Sequence, residues 1–364
     1  MRRVFRLVGL SVVAVLLGLV CGCAESHPAT SLQMLGLKAG PLLSARPGTH
    51  VWVVGDPFLI VASADGGATW STQHRSGATL DNTLWSVTFA DARHGWAITR
   101  FGPNGRPGAI IATTNGGVTW VQQKPEVSGR LLAVTCVDAR HAWIVGATRS
   151  TGGRVLILAT TNGGATWKRQ PITQAGGLSG VAFSDPGHGW AVGMDETGSS
   201  VVLATHDGGR RWRTQYTGAA GESLGSGLAV TDRRHVWLVG FDSHRQGVIF
   251  ATSDGGAHWT TQLADPAHTL LDVSFVDARH GWVVGQDGTI LSTSDGGKTW
   301  NAERSGYHLT LSDVVFSDVQ HGWVVIQHSA LLATRDGGHT WSVVAPAAGQ
   351  DIFADVAAVG PSRK

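Results

Sequence analysis

Two sets of residues recur in this chain with side chains that bind metals or move protons. The first is an Asp or Asn followed by Gly-Gly, at Asp65, Asn115, Asn162, Asp207, Asp254, Asp295 and Asp336. The second is a histidine two residues before a tryptophan, at His50, His94, His141, His188, His235, His280 and His321. All but the first of these follow an aspartate by three residues: Asp91, Asp138, Asp185, Asp232, Asp277 and Asp318. Calcium is the ion for Asp-Gly loops, but it takes about six to eight oxygens. Each box carries a single carboxylate, and Asn115 and Asn162 carry none. Histidines at one repeated position also fail to converge on a common ligand. Local work fits both sets better. An Asp or Asn accepts nearby backbone N–H groups, and Gly-Gly supplies positive φ without a Cβ clash. The Asp-to-His bond closes a turn. The seven box residues are therefore assigned to structure, and no metal or cofactor is expected.

The elements that carry these residues follow from their spacing. The boxes end at Trp70, Trp120, Trp167, Trp212, Trp259, Trp300 and Trp341, at intervals of 50, 47, 45, 47, 41 and 41 residues. The alternating motif places Trp52, Trp96, Trp143, Trp190, Trp237, Trp282 and Trp323. Two positions in seven repeats account for 14 of 15 tryptophans, and only Trp85 stands outside. Before each second motif, pairs such as Val87/Phe89, Val134/Cys136 and Val273/Phe275 alternate with period two, the pattern of a half-buried strand A. His-x-Trp opens strand B, a loop leads to strand C, and the box turns C into D. Four strands in 41–50 residues is the size of a propeller blade. The fold expected is all-β, a single seven-bladed β-propeller of four-stranded antiparallel blades with Asp-box turns between strands C and D. The run Asp355-Val356 aligns with Asp272-Val273 and Asp313-Val314, so a C-terminal strand A could complete blade 1. Leu42 and Leu43 are the competing source.

The ends read as targeting and tether. Arg2, Arg3 and Arg6 precede a weakly polar to apolar run of 14 residues, Leu7 to Val20, shorter than the roughly 20 of a membrane-spanning helix and suited to a signal peptide. It ends in Val20-Cys21-Gly22-Cys23, which resembles a bacterial lipobox with Cys23 as the lipidated residue. The expected organisation is a lipoprotein signal peptide over 1–22, a lipidated tether and lead-in over 23–47, the propeller over 48–359 and a tail over 360–364. The mature chain would carry 25 Lys and Arg against 26 Asp and Glu, a net −1, which excludes a globally basic nucleic-acid binder. Its location is expected to be extracytoplasmic, anchored at the membrane of the cell envelope, and its state a monomer. Beyond Cys23 only Cys136 remains, and it reads as a core thiol.

Where the repeats differ, the two readings are a binding site and ordinary solvated loops. The B–C connections are long in blades 2 to 5 (99–109, 147–154, 194–200 and 241–247) and short in the rest. Variable loops on one face of a fixed scaffold are where recognition sits. Arg100, Arg106, Arg149, Arg154, His244 and Arg245 lie in these loops and are the partner-binding candidates. Arg93, Arg140, Arg234 and Arg279 sit at the A–B turns, each beside a turn Asp expected to neutralise it.

Seven Asp boxes alternating with F-x-D-x-x-H-G-W-x-V-G resemble the photosystem II assembly and stability factor family of BNR/Asp-box propellers. The resemblance spans about residues 48–359. It implies a non-enzymatic, protein-binding scaffold or assembly factor, with arginines in partner binding. The partner expected is a protein of the cell envelope, a membrane protein complex included. The alternative is a glycan-binding or sialidase-like glycoside hydrolase propeller. Sialidase chemistry needs an arginine triad and a Tyr–Glu nucleophile pair. The only tyrosines are Tyr216 and Tyr307, and no catalytic residues are assigned.

Overall fold

In the computed structural model the described residues are 48–361, less 57, 75–82, 103–105, 126–128, 149–154, 173–175, 220, 266–268, 328 and 347–351. The expected signal segment, Cys23 and the tether lie outside them. The described residues form seven four-stranded antiparallel sheets and one two-stranded ribbon. Strands are lettered A to D within each blade. Strand A is Ile352–Val359, Leu84–Phe89, Gly129–Cys136, Gly177–Phe183, Ser223–Val230, Leu270–Phe275 and Leu311–Phe316 in blades 1 to 7. Strand B is His50–Asp56, Gly95–Thr99, Ala142–Thr148, Gly189–Met194, Val236–Phe241, Gly281–Gly285 and Gly322–Ile326. Each A strand touches the A strand of the next blade, and the series returns to its start, so A is innermost and the ring is closed.

Closure is made by the C-terminus. Ile352–Val359 pairs antiparallel with His50–Asp56, Val51 opposite Ala358 and Trp52 opposite Ala357. A chain whose last strand completes its first sheet leaves no open edge there. Leu42 and Leu43 lie outside the described residues.

The core is distributed between blades. Seven buried clusters each join the facing sides of two neighbours. One unites Trp96 and Ile98 of blade 2 with Leu131, Val134 and Ile144 of blade 3. In four places a strand-B tryptophan stacks on the strand-A phenylalanine of the next blade: Trp52 on Phe89, Trp143 on Phe183, Trp237 on Phe275 and Trp282 on Phe316, with centroids 3.5–3.6 Å apart. The same phenylalanines meet the box tryptophans of their own blade edge-on. Offset-stacked and edge-on pairs add about 0.5–1.5 kcal/mol each beyond area burial. The repeated Trp residues thus glue each blade to the next.

Both repeated turns are satisfied locally. In the first box Thr69 donates to Asp65 through its N–H (2.9 Å) and its hydroxyl (2.6 Å). The buried Ser63 hydroxyl accepts the Gly67 N–H at 2.7 Å. Gly66 and Gly67 take φ of 73° and 92°, a region that glycine enters without strain. His258 stands in for threonine in the fifth box and places its Nδ1 2.7 Å from Asp254. At the A–B turns each aspartate holds the following histidine, as Asp91 holds His94 Nδ1 at 2.9 Å, and also accepts backbone N–H groups. The turn carboxylates go to the histidines, with Asp185 also taking Arg233 Nε at 2.8 Å, and Arg93, Arg140, Arg234 and Arg279 stay exposed.

Candidate functional site

Every A strand slips its register against strand B at one place near its start. A bulge of this kind re-aims a side chain out of the ladder. The skipped residue is Leu132, Ser179, Leu271, Ser312 or Ala354 in five blades, and in blade 2 it is Trp85. The one tryptophan outside the repeat therefore sits where strand A meets the face that carries the B–C loops.

The blade 2 loop supplies the rest of the site. Arg100 directly follows strand B, and Phe101–Gly102 pairs with Arg106–Pro107 as a two-residue ribbon. The loop docks on blade 3: the Leu131 N–H donates to the Arg100 carbonyl at 3.3 Å, and Gly108 N–H to the Gly129 carbonyl at 2.9 Å. These bonds bring Arg130, the second residue of strand A in blade 3, beside Arg100. The Arg100 guanidinium lies 5.0 Å from the Trp85 ring and 5.4 Å from Phe101, and Arg130 lies 6.0 Å from Phe101. Phe101 is 45% exposed, one of few large apolar side chains on the described surface.

The electrostatics are unbalanced. Among the described residues no carboxylate pairs with Arg100 or Arg130, and the buried Nε of each lacks a hydrogen-bond partner. Burial, and then the charge of Arg130, pull Arg100 down to about 10. Burial lowers Arg130 as well. Two desolvated like charges over aromatic faces are held by cation–π attraction, about 0.5–1 kcal/mol per exposed contact, and an anion would complete them.

The candidates from the sequence fall into three groups. Arg100 is in this nest, and Arg106 lies in its ribbon, with only its backbone described. Arg149 and Arg154 lie outside the described residues. His244 and Arg245 share a tight turn in blade 5, three blades away. There Asp242 accepts the N–H groups of His244 (2.8 Å) and Gln246 (3.0 Å), and Arg245 lies 5.6 Å from the Phe241 ring. The structure thus adds Trp85, Phe101 and Arg130 to Arg100 and keeps the blade 5 pair apart. Trp85 carried a signal, as the tryptophan that breaks the repeat. Arg130 carried none.

Other reactive groups are committed elsewhere. Burial pushes the Cys136 thiol up to about 12, away from the thiolate range. Tyr216 donates to Glu222 Oε2 at 3.2 Å. Burial and then the Glu222 charge push its phenol up to about 12, and its ring packs on the blade 4–5 core. Among the described residues no group of three or more His, Cys, Asp or Glu is arranged to hold a metal ion.

Residues 261–308 match the family described as photosynthesis system II assembly factor YCF48. No curated protein matches the chain. The solved structure of YCF48 bound to D1 peptide is 19% identical, with a TM-score of 0.57 over 82% of this chain and 91% of that one. YCF48 from Cyanidioschyzon merolae is 22% identical, with a TM-score of 0.56 over 82% and 96%. A GH74 xyloglucanase from Xanthomonas campestris is 14% identical, with a TM-score of 0.34 over 78% and 51%, too low to argue from. The family match bears out the resemblance read from the motifs, and the two YCF48 structures share the propeller fold.

Proposed function

We propose that this chain is a non-enzymatic, membrane-tethered extracytoplasmic propeller that works as a protein-binding scaffold or assembly factor. Its partner docks on the B–C face at the seam of blades 2 and 3. The observation that carries this reading is the pair Arg100 and Arg130, which no carboxylate among the described residues compensates, set among Trp85 and the exposed Phe101. Trp and Arg are the residues that dominate binding energy at protein interfaces, and two desolvated guanidiniums select an acidic segment. A protein with this fold solved with a bound peptide supports a peptide segment as the ligand class. The tether rests on the lipobox at Cys23.

Tyr216 favours binding over sialidase-type hydrolysis, because its raised phenol is the opposite of an activated nucleophile. The deciding experiment cross-links intact envelopes and identifies what is captured by wild type but lost from the double variant Arg100→Ala with Arg130→Ala. Equal recovery of every partner by the variant would overturn the docking site. Turnover of sialosides or β-glucans, abolished by changing one carboxylate, would overturn the non-enzymatic reading. Retention of Cys23→Ser at the membrane would overturn the lipid tether.

A further inference from the structure

One residue position in strand A faces the central axis and differs sharply around the ring. It immediately precedes the core residues Val87, Val134, Val181, Leu228, Val273, Val314 and Val356. In blades 2 to 5 it is Ser86, Ala133, Gly180 and Gly227, and in blades 6, 7 and 1 it is Asp272, Asp313 and Asp355. The inner edge of strand A has no strand partner, so its N–H groups need acceptors. The carboxylates supply them across the blade seams. Asp272 accepts from Val314 at 2.9 Å, Asp313 from Val356 at 2.7 Å and Asp355 from Val87 at 2.7 Å. Ser86 continues the row to the Val134 N–H at 3.4 Å.

The same three carboxyls also meet one another. Asp272 hydrogen-bonds Asp313, Asp313 hydrogen-bonds Asp355, and Asp355 reaches Ser86. A contact between two carboxyls needs a proton in it. Two shared protons satisfy both contacts and leave one charge over three groups. No described ion pair engages any of them. Gly227 faces Asp272 from blade 5, where a Cβ would fall 2.6 Å from Oδ1, and Ser86 faces Asp355 from blade 2. Strands A and B of blades 6 and 7 carry no other titratable side chain. Strand B of blade 1 carries His50 and Asp56 at its two ends, opposite Val359 and Ile352, while Asp355 lies opposite Val54. Arg130 and Cys136 lie on strand A of blade 3, on either side of its axial residue Ala133.

We infer that the propeller closes its ring on protons: Asp272, Asp313 and Asp355 share them in the closed form, and their loss as pH rises loosens the C-terminal strand Ile352–Val359. That strand carries the last of the three and pairs with a single strand, His50–Asp56, while Phe353 and Val356 pack on blade 7 and Ala357 on blade 2. Burial, and then the charges of their neighbours, hold Asp313 and Asp355 well above the usual carboxylate range, and Asp272 is raised to about 6. Groups raised in the folded state destabilise it as pH climbs from the unfolded value through the folded one. The unfolding equilibrium should grow about tenfold per pH unit for each proton that only the closed ring holds.

The test measures urea midpoints and hydrogen exchange of residues 352–359, corrected for intrinsic rate, in the wild type from pH 5 to pH 8. Strand Gly189–Met194 serves as the internal reference. The expected result is a falling midpoint, with protection lost from 352–359 before the reference strand. Asp313→Asn keeps an acceptor for the Val356 N–H and supplies a permanent donor, so it should flatten both trends and gain stability at pH 8. Asp272→Asn should flatten them in part. A flat wild-type midpoint, or loss of protection shared equally by both strands, overturns the inference. An unchanged slope in Asp313→Asn also overturns it. If neither variant folds, the wild-type exchange pattern alone decides.

Discussion

Phe183 lies over Gly189, its cross-strand partner, so closely that a Cβ at 189 would fall 2.5 Å from the ring. The same holds for Phe89 over Gly95, Phe275 over Gly281 and Phe316 over Gly322. Where strand A carries a smaller residue, strand B carries a larger one: Cys136 faces Ala142, Val230 faces Val236 and Ala358 faces Val51. The residue between the repeated His and Trp is therefore set by the size of its cross-strand partner. Gly189→Ala should lose about 1–3 kcal/mol through overpacking. Adding Phe183→Cys copies the blade 3 pair and removes the clash, although the stack on Trp143 is lost. A double-mutant cycle by urea unfolding should show coupling of at least about 1 kcal/mol, and additive effects would refute size matching.

The box threonine that precedes the turn has a different task from the box aspartate. Thr205 is buried, and its hydroxyl accepts the buried N–H of Gly209 at 2.9 Å while donating to Asp207 at 2.9 Å. Thr205→Val keeps the shape and strands that N–H, which should lose about 1–3 kcal/mol. Thr205→Ser should lose far less, because Ser63 fills the role in blade 1. A loss in Thr205→Ser that matches or exceeds the loss in Thr205→Val, measured by thermal unfolding, would show that the hydroxyl is not the dominant contribution.

The repeat was legible because its residues act within a few positions of themselves. Asp65 with Thr69 and Asp91 with His94 are contacts three or four residues apart, so spacing alone named them. The period-two alternation of Val87 and Phe89 likewise placed strand A. The seam between blades was not legible in the same way. Arg100 and Arg130 belong to different blades, and their meeting depends on how the blade 2 loop docks by backbone bonds that any residue could make. The axial aspartates were visible only as an alignment of Asp272, Asp313 and Asp355. Their chemistry appears when the ring sets successive A strands side by side and brings residues of three blades together. A sequence shows which residues break a repeat, as Trp85 does, but not what they meet.

Arg100 should trade stability for binding. Its guanidinium is desolvated, without a carboxylate among the described residues, and repelled by Arg130. Arg100→Met keeps an unbranched chain against Trp85 and removes the charge, so stability should hold or rise by up to about 1 kcal/mol. Partner capture from cross-linked envelopes should fall in the same variant. Arg100→Lys should also bind poorly, since a lysine lacks the planar fork that stacks and pairs. A variant that loses stability and binding together would show that the arginine is there for packing.

Two families of carboxylates act on stability in opposite directions, so the pH profile should have a maximum. Burial alone would raise Asp91, Asp138, Asp232 and Asp277, but the backbone N–H groups and histidine that each one holds outweigh it and keep it below the usual range. In the box, the Thr299 N–H and hydroxyl hold Asp295 at about 2. Groups lowered in the folded state give stability that is present above the unfolded value and lost as pH falls through the folded one. Asp272, Asp313 and Asp355 are raised, so their favourable contribution is complete below the unfolded value, about 3.9, and fades as pH rises through 6 and above. The melting temperature by calorimetry should therefore peak between about pH 4 and pH 5. It should fall steeply on the acid side and more gently on the other. Asp313→Asn should remove much of the upper limb and leave the acid limb in place, because the turn and box aspartates are untouched. A profile that rises steadily to pH 7 would mean that the axial carboxyls are ionised in the folded ring.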